Sequence, residues 1–146
     1  VVGHHGVYPG CARKNEKTLV SLLPPLFSAH GVAAYFNGHD HNMQHISHEG
    51  IEYFCNGNGG ANEESQQNHM QLPRGSWRFV ASGGGFTAVR VLDKQRMRVE
   101  FYNTAAQRVY CYQIRNPRAA DAHAPSSQPC EYEDALRQHA DPKAWE

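Results

Sequence analysis

The residues of this chain best suited to chemistry are histidines placed directly behind glycines. Gly38-His39-Asp40-His41-Asn42 sets two imidazoles one residue apart, and Val1-Val2-Gly3-His4-His5 repeats the pattern of apolar residues, glycine, then histidine. Imidazole is the commonest protein ligand for metals. Residues i and i+2 of an extended backbone project to one side, so the spacing predicts that His39 and His41 face a common volume. A Gly-His-x-His element alone is equally compatible with a solvated loop; the second Gly-His element tips the balance. Three protein ligands with positions left to water is the arrangement of a catalytic metal site, and His4, His39 and His41 are the candidate ligands. His5 adjoins one of them and is a candidate for the pocket wall, as is Asn42. Asp40 alternates with the ligands, so it is expected to face away from them and to steady the loop, as a plain turn residue also would.

These side chains need elements to aim them. The run Gly31-Val32-Ala33-Ala34-Tyr35-Phe36 reads as a buried strand that breaks into the histidine loop at a glycine. Ahead of it, Leu19, Leu22, Leu23 and Leu26 recur at i, i+3, i+4 and i+7, which predicts a helix over residues 11–30 with that stripe on a sheet. Asn15 and Glu16 suit its first turn, and Pro24-Pro25 predicts a kink or short break. With Val1-Val2 as the stub of an earlier strand, this is the second half of a right-handed parallel crossover. Ligands in open α/β sheets collect beyond the carboxyl ends of the strands, so two strands ending in Gly-His aim at one crevice.

After the loop the period changes to two. Residues 43–47 and 51–55 read as a hairpin around His48-Glu49-Gly50, and strands are predicted at 77–81, 86–92, 97–102 and 108–114. Met97, Val99 and Phe101 alternate with Arg98 and Glu100, the mark of a sheet with one buried face. The fold class is therefore α/β (α+β), with mostly antiparallel strands after an initial βαβ unit. The polar segment 56–75 is expected to form a rim near the metal loop. Residues 117–129 read as a linker and 131–140 as a short exposed helix, which divides the chain into a domain at 1–116 and a tail at 117–146.

Composition narrows the partners. Fourteen basic side chains balance fourteen acidic ones among 146 residues, so nothing draws nucleic acid or an anionic membrane, and no apolar run has the length of a membrane span. The chain opens on what reads as the end of a strand, so an earlier half is expected. Of the ten histidines, His30 belongs near a helix carboxyl terminus and His69, His123 and His139 in polar segments. His45 and His48 fall on a strand, either as outer partners of the site or, more simply, as exposed residues. Cys11, Cys55, Cys111 and Cys130 lack Cys-x-x-Cys spacing and allow three pairings, or none.

Taken together, Val1-Val2-Gly3-His4 and Gly38-His39-Asp40-His41-Asn42, with a helix and a strand between them, resemble the carboxyl-terminal half of a purple acid phosphatase. Within the calcineurin-like metallophosphoesterases the likeness is to the small tartrate-resistant type. It extends to about Pro117 and takes in Leu22-Leu23-Pro24-Pro25-Leu26 and Gly84-Gly85-Phe86. Two departures stand out: His5-Gly6 replaces an aromatic and a proline, and Asn56-Gly57-Asn58-Gly59-Gly60 varies the glycine-rich loop.

The resemblance implies the second half of a β-sandwich flanked by helices and a dinuclear metal centre, Fe(III) with Fe(II), Zn or Mn, that hydrolyses phosphate monoesters. Two metals about 3.5–4 Å apart would activate a bridging water. It assigns His4 and His39 to the second, divalent metal and His41 to the first. The family's aspartates, tyrosine, asparagine and acid/base histidine lie in motifs of the amino-terminal half, none of which is in this sequence. Hydrolysis is thus expected of the complete protein and not of this piece, whose partner is the amino-terminal half. A secreted, lysosomal or vacuolar setting would permit a Cys111–Cys130 bridge or one using Cys11. Two other classes compete: a non-catalytic metal- or partner-binding module on the same scaffold, and a cupin-like mononuclear enzyme. The cupin pattern wants a glutamate three or four residues after the second histidine, whereas Glu49 comes much later.

Overall fold

The computed structural model describes residues 1–119 and 126–130. Its elements are α1 (Lys17–Ala29), β1 (Ala34–Asn37), β2 (Met43–His48), β3 (Ile51–Asn56), β4 (Trp77–Ala81), β5 (Gly85–Val91), β6 (Arg96–Asn103), β7 (Arg108–Arg115) and β8 (Gln128–Pro129). One sheet has the order β1-β3-β2-β4 and the other β5-β6-β7-β8. β1 runs parallel to β3, Val2 bridges Phe36 in parallel, and the remaining pairings within the two sheets are antiparallel. A mixed α+β architecture of mostly strands results, with the first parallel unit where the sequence places it.

The layers follow from alternation along β3. Ile51 and Tyr53 join Val7, Tyr8, Phe27, Tyr35 and Ile46 on the helix side of the first sheet. Phe54 points the other way, into a core with Met43, Val99, Phe101, Tyr112 and Ile114 between the two sheets. A strand covered on both faces loses its polar alternation, which is why 51–55 reads as a nearly continuous apolar run. Glu49 and Gly50 close the β2–β3 hairpin with positive φ angles of 52° and 76°, which a glycine at the second position permits.

Helix α1 departs from expectation in three ways. It begins at Lys17, capped by Glu16, whose carboxylate accepts from the Thr18 amide at 3.2 Å. Residues 11–16 are not helical because their carbonyls are taken elsewhere: Asn68 Nδ2 donates to the carbonyls of Cys11 and Arg13. The helix also runs unbroken through Pro24 and Pro25. The carbonyls the two rings leave without donors belong to Val20 and Ser21; Ser21 is exposed to water, and buried Pro24 fills core space instead. Finally, the core-facing stripe is Leu19, Val20, Leu23, Pro24 and Phe27, so Leu19 and Leu23 pack as expected while Leu22 and Leu26 are half exposed. A helix has one face for the core, and burying Phe27 turns Leu22 and Leu26 outward.

The polar segment after β3 is tied down at both ends. Asn58 and Asn68 are buried; Asn58 Nδ2 donates to the Gly83 carbonyl and Asn68 holds residues 11–13. Part of the expected linker rejoins the sheet: Gln128 pairs with Gln113, Pro129 with Tyr112, and Cys130 is disulfide-bonded to Cys111. The helix expected at 131–140 lies outside the described residues. Cys11 and Cys55 are free and buried.

Candidate metal centre

The two Gly-His elements are held side by side by their backbones. Phe36 donates to the Val1 carbonyl at 3.0 Å, Gly3 to Phe36 at 2.9 Å and Gly38 to His4 at 3.1 Å, so the ladder reaches the histidines themselves. Gly3 is small for a reason: a Cβ there would collide with the Tyr35 hydroxyl, which passes beneath it and donates to the His5 carbonyl at 2.9 Å.

The loop of residues 38–42 is bent, not extended, because His39 takes a left-handed backbone with φ 69°. That corrects the expectation that His39 and His41 project together; alternation holds only on extended backbone. His39 turns to the first element instead. Its Nδ1 lies 3.2 Å from His4 Nε2, and the rings of His4, His5 and His39 have centroids 4.9, 5.0 and 4.3 Å apart (His4–His5, His4–His39, His5–His39). His41 has no ring contact with them; its carbonyl accepts from the Glu63 amide at 2.8 Å, so the polar segment borders the loop as a rim would.

Under the loop, a polar layer fixes its shape. Asp40 and Asn42 are buried and point inward, and Gln44, also buried, clamps both: its Nε2 donates to Asp40 Oδ2 at 2.9 Å and Asn42 Oδ1 at 2.7 Å. Gln44 Oε1 accepts from the Gly10 amide at 2.9 Å, joining the loop after His5 to the loop around His39. Cys55 Sγ donates to the Gly38 carbonyl at 3.1 Å, and burial pushes its thiol up to about 12, as it does that of Cys11. Gly57 packs so close to the Asp40 carbonyl that any side chain would meet it. Sequence reasoning missed Gln44 and Cys55; on a strand of alternating residues neither carries a mark that separates a loop clamp from a surface or core residue.

The pair of nitrogens fits a metal. Two imidazoles on one tetrahedral ion, each about 2.0–2.1 Å from it, hold their nitrogens roughly 3.3 Å apart, against 3.2 Å here. Desolvation, followed by the neighbouring His5, Arg13 and His4, holds His39 below the ordinary imidazole value, which keeps it in the neutral form that coordinates. Among the described residues no group of three His, Cys, Asp or Glu side chains closes on one point as it stands.

Comparison with known proteins gives a consistent likeness. Residues 50–110 match the family model described as iron/zinc purple acid phosphatase-like protein C. The chain matches the carboxyl-terminal domain of the purple acid phosphatases. It is 33% identical over 125 residues to human tartrate-resistant acid phosphatase type 5, covering 82% of this chain and 38% of that protein. The rat protein is 32% identical over 124 residues, 81% of this chain and 38% of its own length. Purple acid phosphatase 4 of Arabidopsis thaliana is 31% identical over 127 residues, 86% of this chain and 37% of its own. The chain thus spans well under half of these relatives. Two solved structures share the fold. One is described as GAP50, the anchor in the inner membrane complex of Plasmodium, with TM-score 0.69, 19% identity and coverage of 79% of this chain and 36% of that one. The other is the purple acid phosphatase PPD1 of yellow lupin seeds, with TM-score 0.62, 15% identity and coverage of 77% and 24%.

His45 is buried and bonded to Glu52 and Tyr110 instead of to the histidines of this centre, so it is neither an outer partner of it nor an exposed strand residue. Its Nε2 lies 2.8 Å from Glu52 Oε2 and its Nδ1 2.7 Å from the Tyr110 hydroxyl, in the core between the sheets. His48 is half-buried, its ring edge on Tyr8 at 5.4 Å.

Proposed function

We propose that this chain is the histidine-bearing portion of a metal-dependent acid phosphatase that hydrolyses phosphate monoesters, with the carboxylates supplied by an amino-terminal half. The observation that carries this reading is the 3.2 Å separation of His39 Nδ1 and His4 Nε2, the spacing of two ligands on one ion, at the ends of two adjacent parallel strands. His4 and His39 would hold one metal of a dinuclear iron-containing centre and His41, set apart from them, the other. Bound there, the metals would polarise the ester and lower the pKa of a water. The chain's own part is to present neutral imidazoles on a loop stiffened by Gln44, Asp40 and Asn42.

The partner half has a place to go. The edge at β5 is open, the edge of β1 is covered only by residues 1–4, Val1, Val2 and Phe86 are more than half exposed, and a cavity of about 460 Å³ lined by Val2, Phe36, Phe54 and Phe86 lies beside β1 and β5. Exposed apolar area beside open strands favours association. The Cys111–Cys130 bridge supports a secreted, lysosomal or vacuolar setting, where disulfides persist. No helix among the described residues is long and apolar enough to cross a membrane.

The test is elemental analysis and hydrolysis of an aryl phosphate at acidic pH by the complete protein, then by its His4→Ala and His39→Ala variants. About two metals per molecule with turnover that both variants abolish is the expected result. Metal without turnover would favour the second reading, a non-catalytic module; a neighbour of this fold described as an anchor gives that reading its support.

A further inference from the structure

We infer that the outer face of β5, β6 and β7 is an arginine surface that takes an acidic peptide segment, and that the segment it takes is this chain's own residues 131–146, which lie outside the described residues. The inference concerns the second sheet alone and needs no metal and no phosphatase activity.

Alternation puts the arginines there. Val99 and Phe101 of β6 point into the core between the sheets, so Arg96, Arg98 and Glu100 point outward. Cross-strand partners share a face, which adds Arg90 of β5, opposite Arg98, and Arg115 of β7, opposite Arg96. Arg108 joins them, since its Nη1 donates to Glu100 Oε1 at 2.9 Å. Two pairs of arginines thus stand directly opposed, an arrangement that costs stability wherever no anion lies beside it. The carboxylates bonded to this group are few. Glu100 takes Arg90 and Arg108, and Asp93 takes Arg96. Arg98, between them, has no ion pair among the described residues, and its Nε is buried without a hydrogen-bond partner among them.

The chain supplies anions at that place. Cys111 is the cross-strand partner of Glu100 and so faces outward, and Cys130 is disulfide-bonded to it. The chain therefore leaves the described residues on the arginine face. The next four residues are Glu131, Tyr132, Glu133 and Asp134, and residues 131–146 hold five acidic side chains against two basic ones. Four extended residues span about 13 Å, whereas β6 lies two strand spacings, about 10 Å, from β8. Arg98 and its neighbours are within reach of these carboxylates. Each exposed ion pair is weak by itself. The disulfide tether changes the balance, because it holds the segment at an effective concentration of the order of millimolar, which a foreign acidic peptide lacks. A partner half that covers exposed Val89 and Val91 does not compete, since both residues lie on the opposite face of β5, in register with Val99 and Met97.

The experiment follows the arginine Nε–H resonances of the full 146-residue chain by NMR, beside a variant whose segment is neutralised by Glu131→Gln, Glu133→Gln and Asp134→Asn. None of these three residues belongs to a described element, so the sheets keep their own contacts. A synthetic peptide of residues 131–146 is then added to each. The expected result is an Arg98 resonance that moves on neutralisation and on raising salt from about 0.05 to 0.5 M. The peptide should bind the neutralised chain about tenfold or more tightly than the parent, whose own segment holds the face. Adding Arg90→Gln and Arg98→Gln to the neutralised chain should abolish that binding, and Arg74→Gln, outside this sheet, should leave it within about twofold. An Arg98 resonance unmoved by neutralisation would overturn the inference. So would a peptide that binds both chains equally, which would mean an open face with a foreign ligand, or one that binds neither.

Discussion

His45 and the His4–His5–His39 group carry the same ring in opposite settings. His45 is fully buried, stacked on Phe54 at 4.1 Å, and both its nitrogens are engaged, one with Glu52 and one with the Tyr110 hydroxyl. Tyr112 donates to the other Glu52 oxygen at 3.4 Å, so the four polar side chains join β2 and β3 to β7 across the core. His4 and His5 are exposed, and the nitrogens of His4 and His39 face each other instead of a carboxylate. An imidazole whose partners all lie within the protein is committed to holding it together. The rings of His4 and His39 meet only each other, at hydrogen-bond distance and near solvent, so their contact is not part of the core.

The contrast can be broken most sharply at His45. In His45→Ala the Glu52 carboxylate keeps only Tyr112, the Tyr110 hydroxyl loses its acceptor and a ring-sized void opens against Phe54. The expected loss of stability is about 3–5 kcal/mol, read from urea midpoints at constant slope. The same change at His4 should cost no more than about 0.5 kcal/mol. Comparable losses at the two positions would erase the distinction.

Acid sharpens it next. Burial holds His45 below its ordinary value despite the opposing hydrogen bond and charge of Glu52, with Arg78 adding to the lowering. A base whose folded pKa is depressed binds its proton more readily when unfolded. Its stabilising contribution is therefore complete above about pH 6.5 and is lost as the pH falls through the folded value. The stability advantage of the parent over His45→Gln should shrink between pH 7.5 and pH 5, and an advantage that grows in acid would reverse the assignment.

The smallest effect is expected at His39, where backbone and function conflict. Its φ of 69° suits glycine, so His39→Gly should leave stability unchanged or raise it by up to about 1 kcal/mol while removing one nitrogen of the proposed metal pair. A clear destabilisation would show instead that the ring itself supports the loop.

Much of the fold was legible because strands write themselves in alternation. The residues 77–81, 97–102 and 108–114 lie within or coincide with β4, β6 and β7, and the Glu49-Gly50 turn announces its hairpin. Helix α1 was less legible, since Leu22, Leu23, Phe27 and both prolines permit more than one buried face and only the sheet beneath selects among them. The backbone of 11–16 was hidden because its partner, Asn68, lies more than fifty residues away. At the site, the pairing of two Gly-His elements could be read from their grammar. The role of Gln44 could not, for a glutamine on a strand has no local signature until loops from both sides close over it.

By itself the sequence determined the likeness to the purple acid phosphatases, the order of the elements and the identity of the imidazoles that follow Val1-Val2-Gly3 and β1, because these rest on residue type and spacing along the chain. Which imidazoles meet was decided only by tertiary structure. A left-handed turn at His39 and a parallel ladder to Val1-Val2-Gly3 bring His4, His5 and His39 together and set His41 apart. The sheet-to-sheet packing alone makes His45 a core residue. Nearness in space depends on backbone torsions and on contacts between distant segments, and neither is written in the spacing of residues.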